Sequence, residues 1–362
     1  MALRLLVFLT SLAWASLPAV AAEPEPAPNV PTLGVIAPLS GPAATFGEHV
    51  RNGMQLALDE MQPELRKRIN VVLDDDQLKG AQAVNSYSAL RRAHDLKSVF
   101  VFAGSSVAAI APIADKDQVP LFAVTFNREI IAGRKFSSIL YVVSAELTKL
   151  VTDRVISQGN TRRIAVISTQ HEAIKRWVLD VKSSLTSGGA QISFEADTLP
   201  GDTDFRSILT RLRSTDSQAV ALCVLPPSLV AFATQYREQR IELPLLACPV
   251  VENVADVRAS KGALDDTIFS SQPAEPEFAK RYGARFGADP EIGAANAYDA
   301  VNLFARAVAS GASSGADFLK AYQETTGYQG ALGELTYIPG EQRFSVIPRL
   351  RAIKDGKFVD LD

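Results

Sequence analysis

The sequence predicts an α/β protein of two lobes, each a mostly parallel sheet flanked by helices. Apolar runs of strand length alternate with amphipathic helical segments along most of the chain. That alternation is the mark of parallel sheets with helices on both faces. The strand-length runs are too many for one comfortable sheet, so the chain should divide. No long structureless linker separates two halves, so short strand-like crossings should join the lobes.

The expected strands are Leu33–Ala37, Ile69–Leu73, Val99–Ala103, Leu121–Val124, Ile139–Val143, Ile164–Ile167, Gln191–Phe194, Ala219–Leu225, Pro244–Ala247 and Thr267–Phe269. Between most of them lie helical segments, among them Gly47–Met61, Gly80–Ala93, Ala145–Ser157, Glu172–Ser187, Phe205–Arg213, Leu229–Gln239, Phe278–Phe286 and Ala294–Ala309. In Gly47–Met61, Val50, Met54, Leu56, Ala57 and Met61 form an apolar stripe, with Arg51, Gln55 and Asp59 elsewhere. Asp204 stands as an N-cap before FRSILTRLR, and Gly188-Gly189 stops the helix before it. The expected crossings are Tyr141–Ala145, Ser270–Pro273 and Leu332–Tyr337. They assign residues 31–145 and 271–334 to lobe 1, and residues 146–270 and 335–362 to lobe 2.

Residues 1–22 read as a cleaved export signal: Arg4 gives a basic start, Leu5–Leu17 an apolar run too short for a stable span, and Val20-Ala21-Ala22 a small-residue cleavage site. No cysteine lies near that site, so a lipid-anchored N-terminus is not expected. Residues 23–30, beginning EPEPAP, read as a polar, Pro-rich leader. The rest has no second long apolar segment, so stable membrane insertion is not expected.

The chain carries 37 Lys and Arg against 40 Asp and Glu, a formal net charge of −3. That balance disfavours nucleic acid or an anionic membrane surface as partner. The two cysteines, Cys223 and Cys248, each close an expected strand. Neighbouring parallel strands in an oxidising compartment would permit a disulfide, and two buried thiols are the alternative. His49, His94 and His171 lack metal-ligand spacing, and HExxH, GxSxG and P-loop lysine motifs are absent. No metal, cofactor or catalytic residue is therefore expected, and the chain reads as a binder rather than an enzyme. Asp74-Asp75-Asp76 cannot converge on a metal, because consecutive residues of a strand point different ways.

Eight pieces, in order, resemble the type I periplasmic solute-binding proteins of ABC transporters, in the branch of the leucine/isoleucine/valine-binding proteins. They are LGVIAPLSGPAATFGEHVRNGMQLALDEM, INVVLDDDQ, AGSSVAAIAPIADKDQVPLFA, RRIAVIS, LPGDTDFRSILTRLR, LPPSLVAFATQYRE with LPLLA, AANAYDAVNLFARAV and YQGALGELTYIPG. The resemblance implies a ligand cleft between two lobes that close by hinge bending, a periplasmic location, and delivery of a small-molecule solute to an inner-membrane ABC permease. A monomer is expected. A sensor on the same fold without transport, and an exported hydrolase, are the competing readings.

Ligands of such folds sit outside the carboxyl ends of the strands. The expected ligand-binding residues are Ser40 and Phe46 after the first strand, Ser105 and Ser106 after VFVFAG, and Thr125 with Asn127 after LFAV. By the resemblance, Ser105, Thr125 and Asn127 match positions that grip a ligand α-carboxylate. Ser105 also suits a helix cap, and Phe46 suits core packing. The second lobe departs from the family: Ala173 and Ile174 stand where a Tyr-Gly pair is usual, and the cleft Tyr near Leu225-Pro226 is missing. Pro249 is nearest the acid that usually pairs with the ligand ammonium, with Glu252 three residues on. A buried ammonium without an acceptor is costly. A small carboxylate, aromatic acid, amide or less polar solute therefore fits better than a standard α-amino acid. His171 reads as a solvated cap or an anion donor, and Trp177 as packing.

Overall fold

The computed structural model describes residues 30–361, apart from 42 and 160. The expected export signal and all but the last residue of the leader lie outside the described residues. In chain order the strands are β1 (Thr32–Ala37), β2 (Asn70–Asp75), β3 (Leu96–Phe102), β4 (Leu121–Val124), β5 (Ser137–Ile139), β6 (Arg163–Thr169), β7 (Gln191–Thr198) and β8 (Ala219–Cys223). They continue as β9 (Leu245–Ala247), β10 (Ile268–Ser271), β11 (Tyr328–Gly330), β12 (Gly333–Leu335), β13 (Tyr337–Ile338), β14 (Arg343–Phe344), β15 (Arg349–Lys354) and β16 (Lys357–Asp360).

Two sheets of seven strands result. The first runs β13-β14-β5-β4-β3-β1-β2 and the second β16-β15-β10-β9-β8-β6-β7, while β11 and β12 form a separate hairpin. Within each sheet the β-α-β strands pair in parallel. β1 is buried at all six positions, as a central parallel strand covered on both faces must be. The first core is continuous from Leu33 to Val346, and the second lobe packs around Trp177 on one side of its sheet and Phe205, Phe232 and Tyr236 on the other. Trp177 is 1% exposed, so its packing role holds.

Helix Ala44–Glu60 lies against helix Ala294–Ala309 so closely that a Cβ at Gly53 would fall 2.0 Å from the Ala294 carbonyl oxygen. That helix begins three residues before its expected start. Asp204 sits one residue outside the cap: Phe205 occupies it, and Asp204 Oδ1 instead accepts the Arg206 N–H at 3.1 Å. Among the described residues no helix is long and apolar enough to cross a membrane.

The chain passes between the sheets after β5, after β10 and after β14. The third passage corrects the expected boundary. Residues 337–344 belong to the first sheet, where Arg343 pairs with Ile139, so the change of sheet falls between Phe344 and Arg349 and not at Leu332–Tyr337. These two-residue strands are interrupted by Pro339-Gly340, and neither presents an apolar run of ordinary strand length. β8 and β9 are neighbours, and Cys223 and Cys248 at their ends are disulfide-bonded with Cα atoms 5.2 Å apart.

Candidate functional site

The carboxyl ends of β1, β3 and β4 converge at one edge of the first lobe. Helix Gly104–Lys116 opens directly after β3. Its N-cap is Ala103, with φ 75° and ψ 143°, and no side chain caps its first turn. A non-glycine residue in that region costs about 1–3 kcal/mol, and such strain gathers at binding sites. The turn therefore leaves uncapped backbone N–H groups and Ser105 at the helix start, a combination suited to a negative or hydrogen-bond-accepting group.

Thr125 stands beside this turn. A Cβ at Gly104 would lie 3.3 Å from Thr125 Oγ1, so β3 and β4 deliver Ser105 and Thr125 to neighbouring places. Thr125 is 6% exposed, and its Oγ1 accepts the Asn127 N–H at 3.1 Å, which leaves the hydroxyl proton to donate. Asn127 Oδ1 accepts the Glu129 N–H at 3.1 Å and caps the 3-10 turn Arg128–Ile131.

Ser106 is placed differently from its neighbour. It is fully buried, and its hydroxyl donates to Asp76 Oδ2 at 2.5 Å, facing the lobe interior. Successive residues of a helix start point about 100° apart, so one serine faces out and the next in. The three acids at the end of β2 are engaged by backbone N–H groups and serine hydroxyls of their own lobe. Asp75 accepts from Leu39 N at 2.8 Å, from Gln77 N at 2.9 Å and from Ser40 Oγ at 2.5 Å. Asp76 accepts the Leu78 N–H at 2.9 Å, and Ser86 donates to Asp74 at 3.1 Å. Ser40 is thus tied to the turn beside Asp75. Phe46 is half-buried and stacks on Phe102, ring centroids 5.9 Å apart, at the same edge. Among the described residues no group of acids, histidines or cysteines is arranged to hold a metal ion.

The second lobe meets this edge. Phe126 packs against the cores of both lobes. Arg176 of helix Glu172–Ser187 reaches Glu129 of the first lobe at 2.6 Å while also pairing with Asp180. A groove of about 470 Å³ at the first crossing is lined by Asn127, Arg128, Ser144, Arg176 and Asp180 among others. It takes in one expected residue, Asn127, and excludes Ser105 and Thr125.

Pro249 is buried after β9, and Glu252, the acid three residues on, is committed elsewhere. Burial pushes the Glu252 carboxyl above its ordinary range, and the Arg351 guanidinium opposes that rise. Arg351 pairs with Glu252 from β15 and holds Asp360 Oδ1 at 2.9 Å. Two hinge residues carried no local signal in the sequence. Tyr141, in the first crossing, is 4% exposed, and burial with the Glu252 charge pushes its phenol far up. Gln272, in the second, is 9% exposed, and neither amide atom has a hydrogen-bond partner in the protein.

The family model for periplasmic binding proteins matches residues 31–352. The Leu/Ile/Val-binding protein BraC3 of Rhizobium johnstonii is 23% identical over 248 residues, covering 66% of this chain and 67% of that protein. The structure is similar to that of a leucine-binding protein, LivK, from Thermotoga maritima, with a TM-score of 0.83 at 20% identity over 92% of this chain and 98% of the other. It is also similar to an ABC-transporter solute-binding protein of Rhodopseudomonas palustris in complex with 3,4-dihydroxybenzoic acid. There the TM-score is 0.80 at 19% identity, over 91% and 96% of the two chains. The chain belongs to the periplasmic binding protein family and has its two-lobed type I fold.

Proposed function

We propose that this protein is the solute-binding subunit of an ABC importer in the periplasm, and that its solute is a small carboxylate or amide rather than a standard α-amino acid. One observation carries the choice of solute. The first lobe offers the uncapped start of helix Gly104–Lys116 with Ser105 and Thr125, whereas the second lobe presents Pro249 and a Glu252 already paired with Arg351. Donors for a carboxylate are provided. In the loop after β9 an unpaired acid for an ammonium is not. The likeness to a dihydroxybenzoate-binding protein supports the same direction.

In this reading Ser105, Thr125 and the first-turn N–H groups grip the carboxylate, and Phe46 and Ser40 wall the entrance. Asn127 holds Thr125 in place through its backbone N–H. The second lobe then closes over the solute by hinge bending. The solute shifts the open–closed balance only by its differential affinity for the closed form. The closed pair of lobes is the surface offered to an inner-membrane permease, with the protein acting as a monomer.

A thermal-shift screen over aromatic acids, short aliphatic acids, their amides and the common amino acids tests this. A bound solute raises the melting temperature by mass action. The reading requires the acids or amides to give the largest shifts. A larger shift from leucine or valine than from any acid would overturn it.

A further inference from the structure

Glu291 lies on the first lobe, just ahead of helix Ala294–Ala309, yet its side chain engages the second. Its Oε1 accepts the backbone N–H of Val254, the first residue of helix Val254–Ala259, at 3.1 Å. Its Oε2 is buried without a hydrogen-bond partner, 3.7 Å from His49 Nε2, and the side chain is only 9% exposed.

The groups around it fall into two sets. On its own lobe stand His49 and Glu48 of helix Ala44–Glu60, Tyr282 of helix Pro276–Phe286, and Asp289 in the same loop. His49 Nδ1 is 2.7 Å from the Tyr282 hydroxyl and accepts the Glu291 N–H at 3.4 Å. Two donors on Nδ1 put the imidazole proton on Nε2, facing Glu291. Burial holds the His49 imidazole below its ordinary value, with Glu48 opposing, so it stays neutral near pH 7. On the other lobe stand Glu252 and Asp256, both acids.

We propose that Glu291 is a pH-sensitive latch between the lobes: closing the hinge buries its carboxyl against the acids of the second lobe and draws a proton onto it, and opening releases that proton. The geometry sets the sign. Closure brings three things to Glu291: burial and two like charges, which favour the neutral acid, and the Val254 N–H, which favours the anion. Burial is the largest, and with Val254, Glu252 and Asp256 in place as in this structure the carboxyl is pushed up from 4.5 to about 7. Opening takes away Val254, Glu252 and Asp256 together and returns the group toward its ordinary range. The closed form therefore binds more protons. Its advantage is complete below the open form's carboxyl range, shrinks as pH rises, and is gone above about 7.

The latch is tested on the full chain without any solute, so the result is independent of the proposed ligand class. The edges β2 and β7 are farthest in their sheets from the crossings, and exposed residues just beyond them, Lys79 and Thr203, take labels as Lys79→Cys and Thr203→Cys. The native cysteines are bonded to each other and stay unlabelled. Inter-lobe distance distributions are recorded from pH 5 to pH 8. The short-distance population should fall as pH rises, its ratio to the long-distance one changing by up to about tenfold per unit. Glu291→Gln keeps an acceptor for Val254 and cannot ionise, so its distribution should be flat across that range. Asp256→Asn removes one like charge from the opposite lobe and should move the midpoint to lower pH. A wild-type distribution that does not change with pH, or a Glu291→Gln protein that keeps the wild-type dependence, would overturn the proposal.

Discussion

Arg351 on β15 binds Glu252, so the acid in the loop after β9 is already paired within the second lobe. Both side chains are almost fully buried, at 13% and 10% exposure. Removing one partner of a buried pair leaves the other uncompensated, at a cost of about 3–5 kcal/mol. Arg351→Met should therefore destabilise the fold by about 3 kcal/mol in urea denaturation at pH 8. Without the guanidinium the Glu252 carboxyl rises further, so the folded state binds a proton the unfolded chain does not. The deficit should be largest at high pH and recover as pH falls. An equal deficit at pH 5 and pH 8 would count against an ionised pair.

In the proposed function the first-lobe grip on the solute rests on Ser105 and Thr125. A hydrogen bond to a charged group contributes about 1.5–3 kcal/mol. The double change Ser105→Ala with Thr125→Ala should thus weaken binding of a carboxylate solute by about 3 kcal/mol, more than a hundredfold. Stability of the solute-free protein should fall by only about 1 kcal/mol, the cost of leaving the Asn127 N–H without its Thr125 acceptor, because among the described residues no hydrogen bond uses the Ser105 hydroxyl. Undiminished affinity would remove both residues from the site.

Ala103 holds φ 75° at the turn into helix Gly104–Lys116. Glycine adopts that conformation without the Cβ penalty. Ala103→Gly should raise stability by about 1 kcal/mol in spite of the added freedom of the unfolded chain. A melting temperature below that of the wild type would show that the turn is not strained.

Gln272 buries an amide with no protein partner. An unsatisfied buried polar group costs about 1–3 kcal/mol. Gln272→Leu should therefore stabilise the solute-free protein by about 1 kcal/mol. A loss of stability would show that the amide is satisfied in solution.

The β-α alternation made the two sheets readable, because runs such as Leu33–Ala37 and Val99–Ala103 are apolar on both faces and fit only covered parallel strands. The end of the chain was not readable in the same way. β13 and β14 have two residues each and are recognisable only through their pairing with each other and that of β14 with β5. Ser105 and Ser106 look alike in sequence, and only the helix phase separates the outward hydroxyl from the one bound to Asp76. The Cys223–Cys248 bond depended on strand order, which spacing does not fix. Glu291 and Gln272 belong to no motif. Their environments are made by residues from the other lobe or by a crossing, so no local pattern announces them.

In the proposed function the cleft accepts a carboxylate and offers no partner to an ammonium. Titration calorimetry of matched pairs tests it most directly: leucine against 4-methylpentanoate, and phenylglycine against phenylacetate. Each pair shares a carboxylate and a side chain and differs in the α-amino group. The member without the amino group should bind more tightly in both pairs. Tighter binding of leucine and phenylglycine, by tenfold or more, would contradict it and place an ammonium partner in the cleft.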